Sequence, residues 1–362
     1  MDLPKFLRNF TDLLRLGRFT RLWLTAVFLL LFACTTATDL PATPVATELP
    51  IPTSSPPAVT GTSLAAPFPT QLSATQLPSP TAGAAEADTA VPPPSTAAPT
   101  AVHTPAPTDF VNGVPVDQIV ILPPETAVHI REIFARGQEY GRNPHAFSKL
   151  GDSAVLISSY LTRFDDPARY TLGEWSFLQP TIDYYAGSFQ RYGVATRVGL
   201  SSWGVMDPTW ANKEFCNPNE VMLACEVRLF NPSIILIHLG TNDVRDDGTF
   251  NRNMRDILDY CLEQGIIPIL ATKADRFEGE GNRNNQILAD LAAEYKVPLW
   301  DFDAVAATLP DHGLDEDQIH LTAAAKNDYT DPEIWNSGYP VSDLTALLML
   351  NAVRQTLEKS QP

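Results

Sequence analysis

The run Ser233-Ile-Ile-Leu-Ile-His-Leu239, closed by Gly240-Thr241-Asn242-Asp243, restricts the fold more than any other part of the sequence. Its apolar residues follow one another instead of alternating, which suits a strand buried on both faces of a parallel sheet with helices on either side. The flanking segments fit the same scheme. An amphipathic helix is expected over residues 124–140, and a short strand over 146–150 that ends in Gly151-Asp152-Ser153. A second strand is expected over 194–198, ending at Gly199. After the central run come a helix near 251–264, a strand over 266–271, a helix near 282–295, a strand over 297–302 and a closing helix from 342 to about 358. This alternation predicts an α/β fold with a three-layer, doubly wound parallel sheet, whose ligands sit at the carboxyl ends of the strands.

The chain before these elements cannot join their core. Sixteen of the 32 prolines fall in residues 35–110, a Pro/Thr/Ala-rich stretch without Lys or Arg, which favours extended, solvated conformations and reads as a disordered spacer. Residues 1–34 read as an export signal: Lys5, Arg8, Arg15, Arg18 and Arg21 precede an apolar run over 22–33, too short for a comfortable membrane span. Its end, Leu31-Phe32-Ala33-Cys34, resembles the lipobox of bacterial lipoproteins, which implies lipidation of Cys34 and a membrane anchor outside the cytoplasm. The alternative is an uncleaved signal anchor with a buried Cys34. Residues 111–362 remain as one globular domain.

That domain carries −15 of the chain's net charge of −17 and no basic stripe interleaved with aromatics, which argues against a nucleic-acid partner. In an oxidising compartment Cys216 and Cys225, nine apart, are expected to form a loop disulfide, and Cys261 to be a buried free thiol. No His or Cys lies at ligand spacing around them, so no metal is expected.

Three strand ends thus carry small polar groups, and a late loop carries Asp317-Gln-Ile-His320. Taken together and in this order, these motifs resemble the SGNH (GDSL-type) hydrolase superfamily over about residues 144–357. Gly240-Thr241-Asn242-Asp243, Val205-Met206-Asp207-Pro208 after Gly199, and the flanked cysteines look like a branch found in exported bacterial lipoproteins. The resemblance implies a flavodoxin-like sheet and esterase, lipase or deacetylase chemistry.

The residues fit that chemistry. Gly151 permits a tight exit from its strand, so Ser153 would stand at the start of the next helix as nucleophile. His320 is the base that would take its proton, and Asp317, three residues away on an expected helical turn, would fix the imidazole and steady its cation. The resemblance supplies three oxyanion donors: the N–H of Ser153, the N–H of Gly199 and the side-chain amide of Asn242. Gly204 could replace Gly199 if the loop registers differently. No Gly-x-Ser-x-Gly elbow is present, which disfavours the α/β-hydrolase alternative.

Other candidates have plainer readings. Asp152 and Asp243 are expected to brace their loops, and the acidic run over 311–317 to be a solvated loop. His129, His145, His238 and His312 have no partners at metal spacing. Trp203, Trp210, Trp300 and Trp335 read as core or rim, with Trp203 beside the oxyanion loop. The reading is a membrane-tethered, monomeric serine esterase or deacylase without cofactor, acting on an ester such as O-acylated envelope polysaccharide. A non-catalytic binding module on the same fold and an acyltransferase using the same acyl-enzyme are the alternatives.

Overall fold

The computed structural model describes residues 107–244 and 247–359. The export signal, Cys34 and the spacer up to residue 106 lie outside the described residues. Residues 107–110, assigned to the spacer, belong to the domain instead: Pro107–Asp109 forms a 3₁₀ turn, and Phe110–Val111 pairs antiparallel with Val114–Pro115. Among the described residues, no helix is long and apolar enough to cross a membrane.

Five strands form the central sheet: β1 Val120–Ile121, β2 Asn143–Gly151, β3 Pro232–His238, β4 Ile267–Ala271 and β5 Leu299–Trp300. Their spatial order is β1-β5-β4-β3-β2. Strands β2 to β5 run parallel, whereas β1 lies antiparallel on β5, so the sheet is mixed and not wholly parallel as expected. Two residues are too few to carry a readable periodicity, and β1 left no trace in the pattern.

The strand expected over 194–198 is reduced to a single bridge between Thr196 and Gly151. Gly151 N–H donates to Ala195 O at 3.2 Å, and Arg197 N–H donates to Gly151 O at 3.1 Å. The neighbouring donors are taken by a side chain: buried Glu226 accepts from Val194 N–H at 2.6 Å and Ala195 N–H at 3.1 Å. A carboxylate that satisfies these groups removes the reason for a longer ladder. Counting this bridge as a strand, the parallel set runs 2-1-3-4-5, the flavodoxin-like order whose switch point lies between β2 and β3.

The principal helices are α1 Pro124–Glu139, α2 Met222–Phe230, α3 Asp247–Glu263, α4 Arg283–Tyr295 and α5 Gly338–Glu358. Successive residues of β3 serve opposite faces, as a doubly covered strand requires. Ile234 and Leu236 join the core under α1 and α5, while Ile235 and Ile237 join the core under α2, α3 and α4. Helix α5 begins before the expected residue 342 because Pro340 falls in its first turn, where the missing N–H costs nothing. The Cys216–Cys225 disulfide, with Cα atoms 5.3 Å apart, ties helix α2 to the preceding loop. Cys261 on α3 is a fully buried free thiol, pushed up to about 12 by burial.

Candidate active site

The switch point is assembled at the end of β2. A Cβ on Gly151 would stand 2.7 Å from the His238 carbonyl of β3 and 2.5 Å from Val155 Cγ2, so only glycine lets the strand leave the sheet here. The chain then makes one turn, with Val155 and Leu156 N–H donating to Asp152 O at 3.2 and 3.0 Å. The expected helix after Ser153 does not form. Leu161, at φ +61°, instead gives its N–H to the buried Asp343 carboxylate at 2.7 Å, which draws the chain away from a helical path. Ser153 is half-buried on this turn, and neither its N–H nor its Oγ has a hydrogen-bond partner among the described residues.

Asp152 is 2% exposed. Its Oδ1 accepts from Ala154 N–H at 3.0 Å and its Oδ2 from the Asn242 amide at 2.9 Å. Burial pushes this carboxyl up to about 6. Asn242 therefore has a structural task that the sequence did not suggest. A carboxylate accepts only, so the amide nitrogen must face Asp152, and its second N–H points to Leu200 O at a long 3.3 Å.

The loop after Thr196 closes on the same point. Leu200 N–H donates to Arg197 O at 3.1 Å across a turn in which Gly199 adopts φ +70°. Gly199 N–H has no partner among the described residues, whereas Gly204 N–H donates to Ser201 O at 3.0 Å inside the short helix Ser202–Val205. Of the two glycines, only Gly199 presents a free donor. Ser201 Oγ donates to Asn242 O at 3.1 Å, and Asp243 accepts from Ser202 N–H and Oγ, the latter at 2.7 Å. Asp243 thus braces the two loops, as expected.

The third side is the loop bounded by a bridge between Leu314 and Leu321. No helical turn is present here; the Asp317 carboxylate itself makes the bend, its Oδ1 accepting from Ile319 and His320 N–H at 2.9 Å each. Oδ2 meets His320 Nδ1 at 2.6 Å, and this bond is the first cause that pulls the Asp317 carboxyl down to about 2. His320 and Ser153 are not hydrogen-bonded to one another. Their neighbours Ala154, Ile319 and Leu321 line one narrow crevice together with Thr241 and His238.

A buried cluster holds the floor. Lys273, just past β4, pairs with Asp275 at 2.8 Å and Glu278 at 2.6 Å, all three side chains at most 5% exposed. Thr241 Oγ1 donates to Asp275 at 2.9 Å, and Asn284 Nδ2 donates to Gly240 O at 2.9 Å and Asp243 O at 3.1 Å. Tyr339 Oη donates to Ala154 O at 3.1 Å.

Residues 171–326 match the model of the GDSL-like Lipase/Acylhydrolase family. Over those residues the domain is similar to GDSL-like acylhydrolases. Its class is that of ester-bond hydrolases. No curated protein matches the chain significantly. Among solved structures it is similar to a psychrotrophic esterase from a Pseudoalteromonas species, at 13% identity, covering 59% of this chain and 97% of that one with a TM-score of 0.36. A GDSL-like lipase from Bacteroides thetaiotaomicron matches at 13% identity, 65% and 100% coverage and a TM-score of 0.35. An acetyl xylan esterase from Geobacillus stearothermophilus matches at 14% identity, 57% and 94% coverage and a TM-score of 0.35.

The family match takes in Gly199, Asn242, Asp317 and His320, while the Gly151–Ser153 turn lies upstream of it. Sequence reasoning missed Lys273, Asp275, Glu278, Thr241 and Asn284 as the support of the Asn242 loop. Charged residues directly after the apolar strand β4 were the available signal. The group of His, Cys, Asp or Glu close enough to hold a metal among the described residues is Cys216, Glu220 and Cys225, and its two sulfurs are bonded to each other.

Proposed function

We propose that the domain is an extracytoplasmic serine esterase that removes short acyl groups from O-acylated carbohydrate, held at the membrane through lipidated Cys34. The observations that support this reading are an unpartnered Ser153 on the turn after β2, a His320 whose Nδ1 is anchored by Asp317 at 2.6 Å, and one crevice lined by their chain neighbours Ala154, Ile319 and Leu321. Anchoring Nδ1 leaves Nε2 as the basic nitrogen. In this mechanism His320 takes the hydroxyl proton as Ser153 Oγ bonds to the acyl carbon, and Asp317 steadies the imidazolium. The carbonyl electrons move to an oxyanion facing the N–H groups of Ser153 and Gly199 and the Asn242 amide. Collapse of that intermediate expels the alcohol, which receives the proton from His320. Water then repeats the sequence on the acyl-enzyme and releases a carboxylic acid. An oxyanion competes well for the Asn242 N–H that otherwise meets Leu200 O, because a charged acceptor binds about twice as strongly as a neutral one. The crevice beside Ala154 has room for about one water-sized group, so it offers no channel for a long acyl chain.

Burst kinetics with p-nitrophenyl esters test the reading. An acetyl ester is expected to give an acyl-enzyme burst and an octanoyl ester little turnover. Ser153→Ala or His320→Ala each removes nearly all turnover, and the double variant loses little more, because members of one relay are non-additive. Additive losses, or a Ser153→Ala protein that still turns over, refute the assignment.

A further inference from the structure

Trp203 is 46% exposed, although its loop is hydrogen-bonded to the Asn242 loop through Ser201 and Ser202. The exposure is built in. Trp210 meets Trp203 edge to face with ring centroids 4.9 Å apart, and the Arg197 guanidinium lies 4.8 Å over the Trp210 ring. Arg197 also donates to Trp210 O at 2.6 Å, and a Cβ on Gly204 would come within 3.1 Å of the Trp210 ring. Trp210 is therefore clamped, and Trp203 packs on it while nearly half of its surface stays in water and its indole N–H has no partner among the described residues. Folding gains nothing from a large apolar face held in solvent. Trp203 is not itself a wall of the neighbouring groove of about 460 Å³; Trp210, on which it packs, is one, together with Thr196, Arg197, Thr209, Asn212 and Lys213.

We infer that Trp203 and this polar groove form a carbohydrate subsite beside the reacting centre, which seats a sugar ring of the alcohol that carries the ester. The inference rests on the serine esterase reading above and names what holds its substrate. A pyranose ring has a C–H face that stacks on an indole and a hydroxyl rim that needs donors and acceptors at its edge, and the two surfaces here are of those two kinds. An acyl chain would use the indole and leave the groove's polar groups without partners. A nucleic acid would meet a domain carrying −15 of the chain's charge.

The test uses the full chain with O-acetylated xylo-, manno- and gluco-oligosaccharides, beside p-nitrophenyl acetate. Trp203→Ala is expected to raise KM for the best sugar ester about tenfold or more with kcat little changed, so that preference for the sugar ester falls by that factor. Trp203→Phe, which keeps a flat apolar face, restores most of the preference. Independently of turnover, full-length Ser153→Ala protein is expected to bind the deacetylated oligosaccharide, and adding Trp203→Ala weakens that binding about tenfold or more. Melting curves check that each variant is folded. An unchanged KM, equal losses on both esters, or no oligosaccharide bound by folded Ser153→Ala protein overturns the subsite. So does a preference for octanoyl esters or phosphatidylglycerol vesicles that Trp203→Ala abolishes, which would assign the ring to lipid. Failure of the esterase reading is distinct: no acyl-enzyme burst with p-nitrophenyl acetate, whether or not an oligosaccharide binds.

Discussion

Asp152→Asn separates what this buried carboxylate does for stability from what it does for rate. Burial raises the Asp152 carboxyl from an ordinary value of 3.8 to about 6, so the native state holds its proton more tightly than the unfolded chain does. Stability from this group is fully present below pH 4 and is lost as pH rises through 6; at about 1.4 kcal/mol per pH unit the loss is roughly 3 kcal/mol. The substituted amide has no charge to bury and escapes that loss. It also has one acceptor oxygen where the carboxylate had two, yet it faces two donors, Ala154 N–H and the Asn242 amide. Whichever way it turns, one donor meets an NH₂ group, at a pH-independent cost of about 1–3 kcal/mol. Urea unfolding at pH 4 is therefore expected to show the variant weaker than wild type, and at pH 7.5 equal or stronger, the gap moving by roughly 3 kcal/mol. In the assay with p-nitrophenyl acetate at pH 7.5, the freed Asn242 amide turns away from the oxyanion and kcat falls about 10-fold to 100-fold with KM little changed. Parallel stability curves at the two pH values, together with kcat within twofold of wild type, would falsify both halves of the reasoning.

Two further outcomes are expected. Asn242→Ala lowers kcat by about 10²–10³ with KM little changed, and it also costs about 1–3 kcal/mol of stability because Asp152 Oδ2 loses its partner. A folded variant with wild-type kcat removes Asn242 from the oxyanion donors. Cells supplied with a labelled fatty acid are expected to give a labelled protein that disappears in Cys34→Ala, whereas an unlipidated chain beginning at Met1 favours the uncleaved signal anchor.

The sequence by itself determined the layers of this protein and the positions at which its chemistry could be placed. The doubly covered run at 233–239 demands helices on both faces, and Gly151, Gly199 and Gly240 mark ends of segments whose apolar patterns are local. Asp317 and His320 could be paired because three residues bring them together whatever the turn, and the turn proved to be made by the carboxylate itself. Only the tertiary structure decided how the strand ends are joined. Glu226, distant in sequence, takes the N–H groups that would have extended the strand at 194–198, and Asp343 draws off the chain after Ser153 before a helix can form. Which of Gly199 and Gly204 keeps a free N–H follows from the bond that the short helix has already made. The bonds from Asn242 to Asp152, from Thr241 to Asp275 and from Asn284 to Gly240 join residues 90, 34 and 44 positions apart. Periodicity reports which face of an element is buried. The partner a buried polar group finds across that face is a property of the assembled core, because it depends on which elements become neighbours and on what each has left unpaired.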